Sequence, residues 1–125
     1  MYKSLTAALL FAVTSTTAVF ADGHMVAGLQ VVNGALANAD GMSLYTFDPD
    51  TADSSACNGP CAVAWPPLFA GTDDEDHGEF TIVTRADGSR QWAHDGAPLY
   101  FWKNDVEAGD QTGDGVKGVW HLARP

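Results

Sequence analysis

Apolar residues occur along this chain in short runs broken by glycine and aspartate, and no long run keeps a helical period. Such runs between turn-forming residues are typical of β-strands joined by tight turns. A single helical turn is predicted over 61–65, because Pro66 and Pro67 would end it. We therefore predict a mainly β chain with strands at 26–32, around 36, 43–47, 80–85, 90–94, 97–102 and 119–123.

One stretch of this pattern occurs twice. Residues 40–50 and 95–105 both read Asp-Gly-x-x-Leu-Tyr-x-aromatic-x-x-Asp, and the second copy follows the first by 55 residues. The same spacing relates Trp65 to Trp120, so the likeness extends beyond the motif. Asp-Gly favours a turn and the Leu-Tyr-x-aromatic run favours a strand, so each copy is predicted to be a turn followed by a strand.

Side chains alternate between the two faces of a strand, which places Tyr45 and Phe47 on one face and Leu44 on the other. The second copy divides in the same way. Each half is too short to bury enough apolar surface alone, so the halves are expected to share one core. We predict a small antiparallel sandwich or partly closed barrel, built from two pseudo-symmetric repeats over about 26–70 and 78–123.

Both copies fit the pattern Tyr-x-[Phe/Trp/Tyr]-x-x-Asp, which is carried by Tyr45, Phe47, Asp50, Tyr100, Trp102 and Asp105. This pattern resembles the signature of a bacterial family of secreted repeats and predicted lipoproteins. The stretches 57–68, 84–88 and 113–122 are similar to the rest of the family pattern. The family is generally described as of unknown function and has a weak association with alkane catabolism. The resemblance therefore implies export but no particular activity.

The first 21 residues have the parts of a secretory signal peptide: Lys3, an apolar run over 5–13 and a small residue, Ala21, at the expected cleavage point. A membrane helix would need about 20 apolar residues, and the polar stretch 14–17 interrupts this run. Cleavage after Ala21 leaves a mature chain of residues 22–125, which we expect to form a single domain. The first cysteine is Cys57, so the family's lipidated form is not expected, and the product should be free in the periplasm or secreted.

The chain is strongly acidic, with 16 acidic and 6 basic residues and a formal net charge of −10. Nucleic acids and anionic membrane surfaces are bound mainly through lysine and arginine, so we expect neither as a partner. No other stretch is long and apolar enough to span a bilayer. The expected partner is a small molecule or a protein of the cell envelope.

Cys57 and Cys61 are the two cysteines of the chain. An exported protein meets an oxidising compartment, which favours a disulfide closing a short loop ahead of Trp65. The C-x-x-x-C spacing without a following histidine disfavours c-type haem. Copper(I) bound by the two thiolates and a distant histidine is the alternative.

After cleavage at Ala21 the chain would begin with Asp22, Gly23 and His24. The α-amine, two amide nitrogens and the His24 imidazole could then hold Cu(II) or Ni(II) in the square plane that these ions prefer. The alternative is an incidental histidine in a disordered terminus. Residues 110–115 resemble the start of a calcium loop, but the twelfth position is His121 in place of the bidentate glutamate.

The aromatic and acidic residues of the motif have two interpretations. In the first, they stabilise each repeat by satisfying polar groups of the following loop. In the second, they contribute to a groove for a small apolar or aromatic molecule, lined by Trp65, Tyr100, Trp102 and Trp120. The first is favoured, because tyrosine and tryptophan in small β domains are usually core or capping residues.

No sequence motif of a serine hydrolase, a zinc protease or a phosphate-binding loop occurs in the chain. His77, His94 and His121 could each act as a base, but their spacing assigns none of them a partner. We therefore predict an exported, non-catalytic binding or accessory protein. A Cu(II)- or Ni(II)-handling protein is the second hypothesis, and an unrecognised enzyme is the third.

Overall fold

The computed structural model describes residues 28–125, so the predicted signal peptide and the Asp22–His24 site lie outside the described residues. This part contains β1 (Gln30–Val32), β2 (Ala35–Ala37), β3 (Tyr45–Phe47), α1 (Pro60–Ala64), β4 (Phe80–Thr84), β5 (Arg90–His94), β6 (Ala97–Pro98) and β7 (Trp120–Leu122). A 3₁₀ helix over Val116–Gly118 precedes β7. The prediction of a mainly β chain is confirmed.

The strands form three small antiparallel sheets: β1 with β2, β3 with β7, and β4 with β5 and β6. Within residues 28–125 no sheet closes into a barrel. The pairing of β3 with β7 aligns Tyr45 with Leu122 and Phe47 with Trp120. A strand of the first copy is thus paired with the last strand of the chain, which joins the two halves.

The predicted strand over 97–102 ends as β6 at Pro98, because Tyr100 leaves β5 and pairs elsewhere. The backbone N–H of Tyr45 donates to the carbonyl of Tyr100 at 2.8 Å, and the N–H of Tyr100 donates to the carbonyl of Tyr45 at 3.0 Å. Tyr100 also forms a β-bridge with Pro67. The central tyrosines of the two motifs are therefore direct backbone neighbours.

Buried apolar side chains form two clusters on opposite sides of the motif strands. Leu44 and Leu99 belong to the first cluster, while Tyr45 and Tyr100 belong to the second. The predicted alternation along the motif is therefore confirmed. The first cluster is completed by Leu29, Leu36, Phe80, Trp92 and Ala123, and the second by Ala35, Cys57, Trp65, Trp120 and Leu122.

Candidate functional site

The motif tyrosines and aspartates pair across the two copies. Tyr45 donates its hydroxyl hydrogen to Asp105 Oδ2 at 2.6 Å, and Tyr100 donates to Asp50 Oδ2 at 2.7 Å. Burial, with a hydrogen bond to the neighbouring carboxylate adding to it, raises the pKa of both tyrosines above its usual range. Both hydroxyls therefore stay protonated and serve as donors.

The second oxygen of each aspartate holds the loop that follows its own motif. Asp105 Oδ1 accepts hydrogen bonds from the N–H and the hydroxyl of Thr112 at 2.9 and 2.6 Å. Asp50 Oδ1 accepts from the N–H of Ala56 at 2.7 Å. This geometry supports the stabilising interpretation of the motif, because both carboxylates satisfy backbone donors that would otherwise lack a partner.

Four aromatic rings form one continuous stack between the copies. Phe47 lies 4.1 Å from Trp120, Trp120 lies 3.7 Å from Trp65, and Trp65 lies 3.9 Å from Trp102, all between ring centroids. The aromatic residue two positions after each motif tyrosine, Phe47 or Trp102, therefore packs on the tryptophan of the other copy. Such offset or parallel ring contacts add to the energy of apolar burial.

The stack includes three of the residues that the sequence suggested for a ligand groove. Trp65 and Trp120 are only 4% and 3% exposed, and each lies between two other rings of the stack. Tyr100, the fourth predicted groove residue, is fully buried, and Trp102 is half-buried at one end of the stack. The structure thus brings all four together, with their ring faces largely occupied by each other. Ligand binding by this set stays a prediction.

A buried arginine that the sequence analysis did not single out holds the loop of the first copy. Arg85 is 5% exposed, and its guanidinium donates to the carbonyl of Cys57 at 2.7 Å and to Gln91 Oε1 at 2.8 Å. Its position at the end of the predicted strand over 80–85 was visible in the sequence. Its burial was not, because it depends on a loop 28 residues earlier in the chain.

Two hydroxyl groups connect this buried cation to the partly buried carboxylate of Asp50. Arg85 donates to Ser55 Oγ at 3.0 Å, and the Ser55 hydroxyl lies 2.6 Å from the Tyr100 hydroxyl. Because Tyr100 donates to Asp50, Ser55 is the donor to Tyr100. Burial raises the pKa of Asp50 despite its hydrogen bonds and the positive charge of Arg85, so desolvation is the larger effect.

The predicted disulfide is confirmed. Cys57 and Cys61 are joined by an S–S bond of 2.04 Å, and residues 28–125 contain no free cysteine. The oxidised chain therefore has no thiolate to offer copper(I). The bond closes the loop that enters α1, directly ahead of Trp65.

The carboxylates of the calcium-like loop bind the protein's own backbone. Asp110 Oδ2 accepts from the N–H groups of Val106 and Glu107 at 2.8 and 2.9 Å. These hydrogen bonds lower the pKa of Asp110. Asp114 Oδ1 accepts from the N–H of Leu122 at 3.0 Å. Both carboxylates thus stabilise the backbone of this loop and of the strand that follows it.

A cleft with a volume of about 570 Å³ borders the first core cluster, because Leu29 and Trp92 belong to both. Its apolar walls come from Leu29, Leu68, Phe69 and Trp92, and Phe69 is 58% exposed. Polar groups at its edge come from Asn38, Asp74, Glu75 and His77. Asp74, Glu75 and His77 belong to the acidic loop over residues 73–79.

The segment after α1 builds one wall of this cleft by running along β5. The N–H of Trp92 donates to the carbonyl of Leu68, and the N–H of Ala70 donates to the carbonyl of Arg90, both at 2.9 Å. Phe69, between them, forms a β-bridge with Gln91. Long-range pairing thus places an apolar side chain next to an acidic loop, which no local pattern could predict.

A family model described as a secreted repeat of unknown function matches the chain twice, over residues 33–69 and 81–124. No curated protein and no solved structure matches the chain. None of the helical segments in residues 28–125 has the length and apolar character needed to cross a membrane. The two matches cover more than half of the chain and include all four residues of the aromatic stack and both Tyr–Asp pairs. The chain therefore belongs to this family of secreted repeats of unknown function.

Proposed function

We propose that this chain is an exported, non-catalytic binding protein of the periplasm, a single domain over 22–125, whose ligand occupies the cleft beside Trp92. The observation that carries this proposal is the cleft itself, which combines apolar walls with an acidic edge. Its volume lies in the range of about 300–1,000 Å³ that is common for small-molecule sites. The rings of the aromatic stack, by contrast, pack on one another and leave little ring surface for a ligand.

The cleft favours a ligand with an apolar or aromatic body and a positively charged group. Glu75 makes no hydrogen bond or ion pair within the described residues, so its carboxylate is available. Phe69 and Trp92 line the cleft with aromatic rings, which attract a cation at their faces and also supply apolar contact area. The guanidinium of Arg90 is engaged by the carbonyls of Gly71 and Asp74. Arg90 therefore stabilises the loop over 71–74 through backbone carbonyls and leaves the carboxylates of the cleft free of this cation.

The residues that line the cleft also support a non-catalytic role. Within residues 28–125 they include His77 and the carboxylates of Asp74 and Glu75, and no serine, threonine or cysteine that could act as a hydroxyl or thiol nucleophile. Selective capture of a ligand is the chemistry that this set can perform. A partner in the cell envelope would then receive or supply the ligand.

The test uses three aromatic probes on the mature protein: benzyltrimethylammonium, benzyl alcohol and benzenesulfonate. Binding is followed by the NMR shift of the Trp92 indole N–H. We expect the cation to bind best and the anion not to bind. Phe69→Ala and Glu75→Gln should each weaken the cation's binding by roughly three- to tenfold, the size of a contact worth about 1 kcal/mol.

Matched controls exist away from the cleft. Val106→Ala removes an apolar side chain that is also exposed, and Glu107→Gln removes a charge from another acidic loop. Both should leave the binding constant unchanged. Equal binding of the three probes, or an equal loss in the control variants, would contradict the proposal.

The second candidate function, Cu(II) or Ni(II) handling, is favoured by the sequence Asp22-Gly23-His24 at the expected mature N-terminus. Native mass spectrometry of the exported protein reports its first residue, and a copper titration followed by visible absorption reports the stoichiometry. A chain starting at Asp22 should bind one Cu(II), and His24→Ala should abolish that binding. A different first residue would remove this candidate.

A further inference from the structure

We infer that Glu79, His94 and Asp95 form a site for a divalent transition-metal ion of the Zn²⁺ class, at the open end of the β4–β5 hairpin. One imidazole nitrogen and one oxygen from each of the two carboxylates lie within 4.8 Å of one another. This inference is independent of the cleft and of the N-terminal copper site, because it uses different residues and a different set of donor atoms.

The hairpin register brings the three side chains together. Phe80 pairs with His94 at the end of the ladder, and the N–H of Asp95 donates to the carbonyl of Glu79 at 2.9 Å. Glu79 and Asp95 therefore stand opposite each other across the two strands. Imidazole Nε2 of His94 lies between them, 2.6 Å from Glu79 Oε1 and 4.0 Å from Asp95 Oδ2.

The local charge favours a cation at this point. Like charges directly opposite each other on neighbouring strands destabilise the pairing. Within residues 28–125, no lysine or arginine forms an ion pair with Glu79 or Asp95. A ring nitrogen carries at most one hydrogen, and His94 Nε2 is within hydrogen-bond distance of Glu79 Oε1, not of Asp95. A divalent ion in place of that hydrogen would bond all three donors at once.

The burial of the three side chains suits a metal site with an entry path. His94 is 7% exposed, and its ring packs against Phe80 with 4.8 Å between centroids, so the nitrogen ligand is held in place. Asp95 is 71% exposed and can rotate to close on the ion. Zinc is bound by histidine nitrogen and carboxylate oxygen at about 2.0–2.2 Å, and three protein ligands leave a fourth position for water.

The test is titration of the mature protein with Zn²⁺ by calorimetry and with Co²⁺ by visible absorption. It is done in a His24→Ala background, which removes the N-terminal imidazole. We expect one ion per chain and a Co²⁺ spectrum typical of a four-coordinate site. His94→Ala, Glu79→Gln and Asp95→Asn should each weaken binding at least tenfold.

His121→Ala is the matched control, because His121 Nε2 lies 3.0 Å from the exposed carboxylate of Asp48 and forms no second ion pair within residues 28–125. Its affinity should equal that of the parent. Glu79→Gln and Asp95→Asn change partly or largely exposed side chains, so they test the site even if His94→Ala unfolds. Unchanged affinity in both, an equal loss in His121→Ala, or no binding at millimolar metal would overturn the inference.

Discussion

The hydroxyl of Tyr45 is bound by Asp105, 60 residues away in the other copy of the motif, at 2.6 Å. The aspartate of its own copy, Asp50, instead binds Tyr100. The aromatic stack follows the same exchange, because Phe47 packs on Trp120 of the second copy. The motif therefore works as a clamp between the copies, and each copy completes the polar network of the other.

The first prediction concerns the coupling between these two residues. Tyr45→Phe and Asp105→Asn should each lower the free energy of unfolding by about 1–3 kcal/mol, since each leaves a buried polar group short of a partner. The double variant should lose less than the sum, with a coupling above about 0.5 kcal/mol. Urea unfolding of the four proteins measures it. Tyr45→Phe combined with Asp50→Asn, the aspartate of the same copy, is the control and should show the smaller coupling.

The second prediction concerns a glycine beside the ring stack. A Cβ at Gly113 would lie 2.9 Å from ring atoms of both Trp102 and Trp65, and neither ring can move freely inside the stack. Gly113→Ala should therefore lower the free energy of unfolding by about 1–3 kcal/mol. Gly71→Ala is the control, because its Cβ would meet only Asp74 Oδ2 at an ordinary 3.4 Å. Equal thermal shifts in the two variants would contradict the stack geometry.

The third prediction concerns the disulfide. Replacing Cys57 and Cys61 together by alanine should cost about 2 kcal/mol, because the bond closes a short loop and so restricts the unfolded chain only modestly. Arg85 still holds the carbonyl of Cys57, so the loop should keep its place. Denaturant unfolding measures the loss, and the Trp92 indole shift in NMR reports whether the distant cleft is unchanged. A loss of the whole fold would show that the bond does more than close the loop.

The fourth prediction concerns the pH dependence that Asp50 contributes. Its pKa is raised above the ordinary value of 3.8 by burial, so the folded state binds its proton more tightly than the unfolded state. That contribution to stability is present below the ordinary pKa and is lost as the pH rises through the raised pKa. Asp50→Asn should therefore become more stable relative to the parent as the pH rises above the ordinary pKa of 3.8. Urea unfolding at several pH values measures the trend, and a flat difference would contradict it.

The fifth prediction has the opposite sign. The N–H groups of Glu107 and Val106 lower the pKa of Asp110, so its contribution to stability is present above the ordinary pKa of 3.8. It is lost as the pH falls through the lowered pKa. Asp110→Asn should therefore be less stable than the parent at neutral pH, with a difference that shrinks on acidification. The same urea series measures it, and a difference that grows in acid would exclude this role.

Local patterns were sufficient for much of the fold. The strand over 90–94 was predicted with its observed ends, and the helical turn was placed within one residue of α1, because alternation and turn chemistry depend on neighbouring residues. The division of Leu44 and Tyr45 between two faces follows from the same alternation. The disulfide was predicted from the expected oxidising compartment and the pair of cysteines. The duplicated motif also identified the tyrosines, aspartates and aromatic residues that form the contacts between the two halves.

The sequence by itself therefore determined the approximate positions of the strands, the duplication and the family, but not that the strand beginning at Ala97 ends at Pro98. Only the tertiary structure decided that Tyr45 binds Asp105 and not its own Asp50, that Arg85 is buried, and that Phe69 borders a cleft. The physical reason is that these contacts join residues far apart in the sequence. A repeat spacing shows that two residues are equivalent, but which of them touch is set by how the two halves pack, through pairings such as β3 with β7 that no local period records.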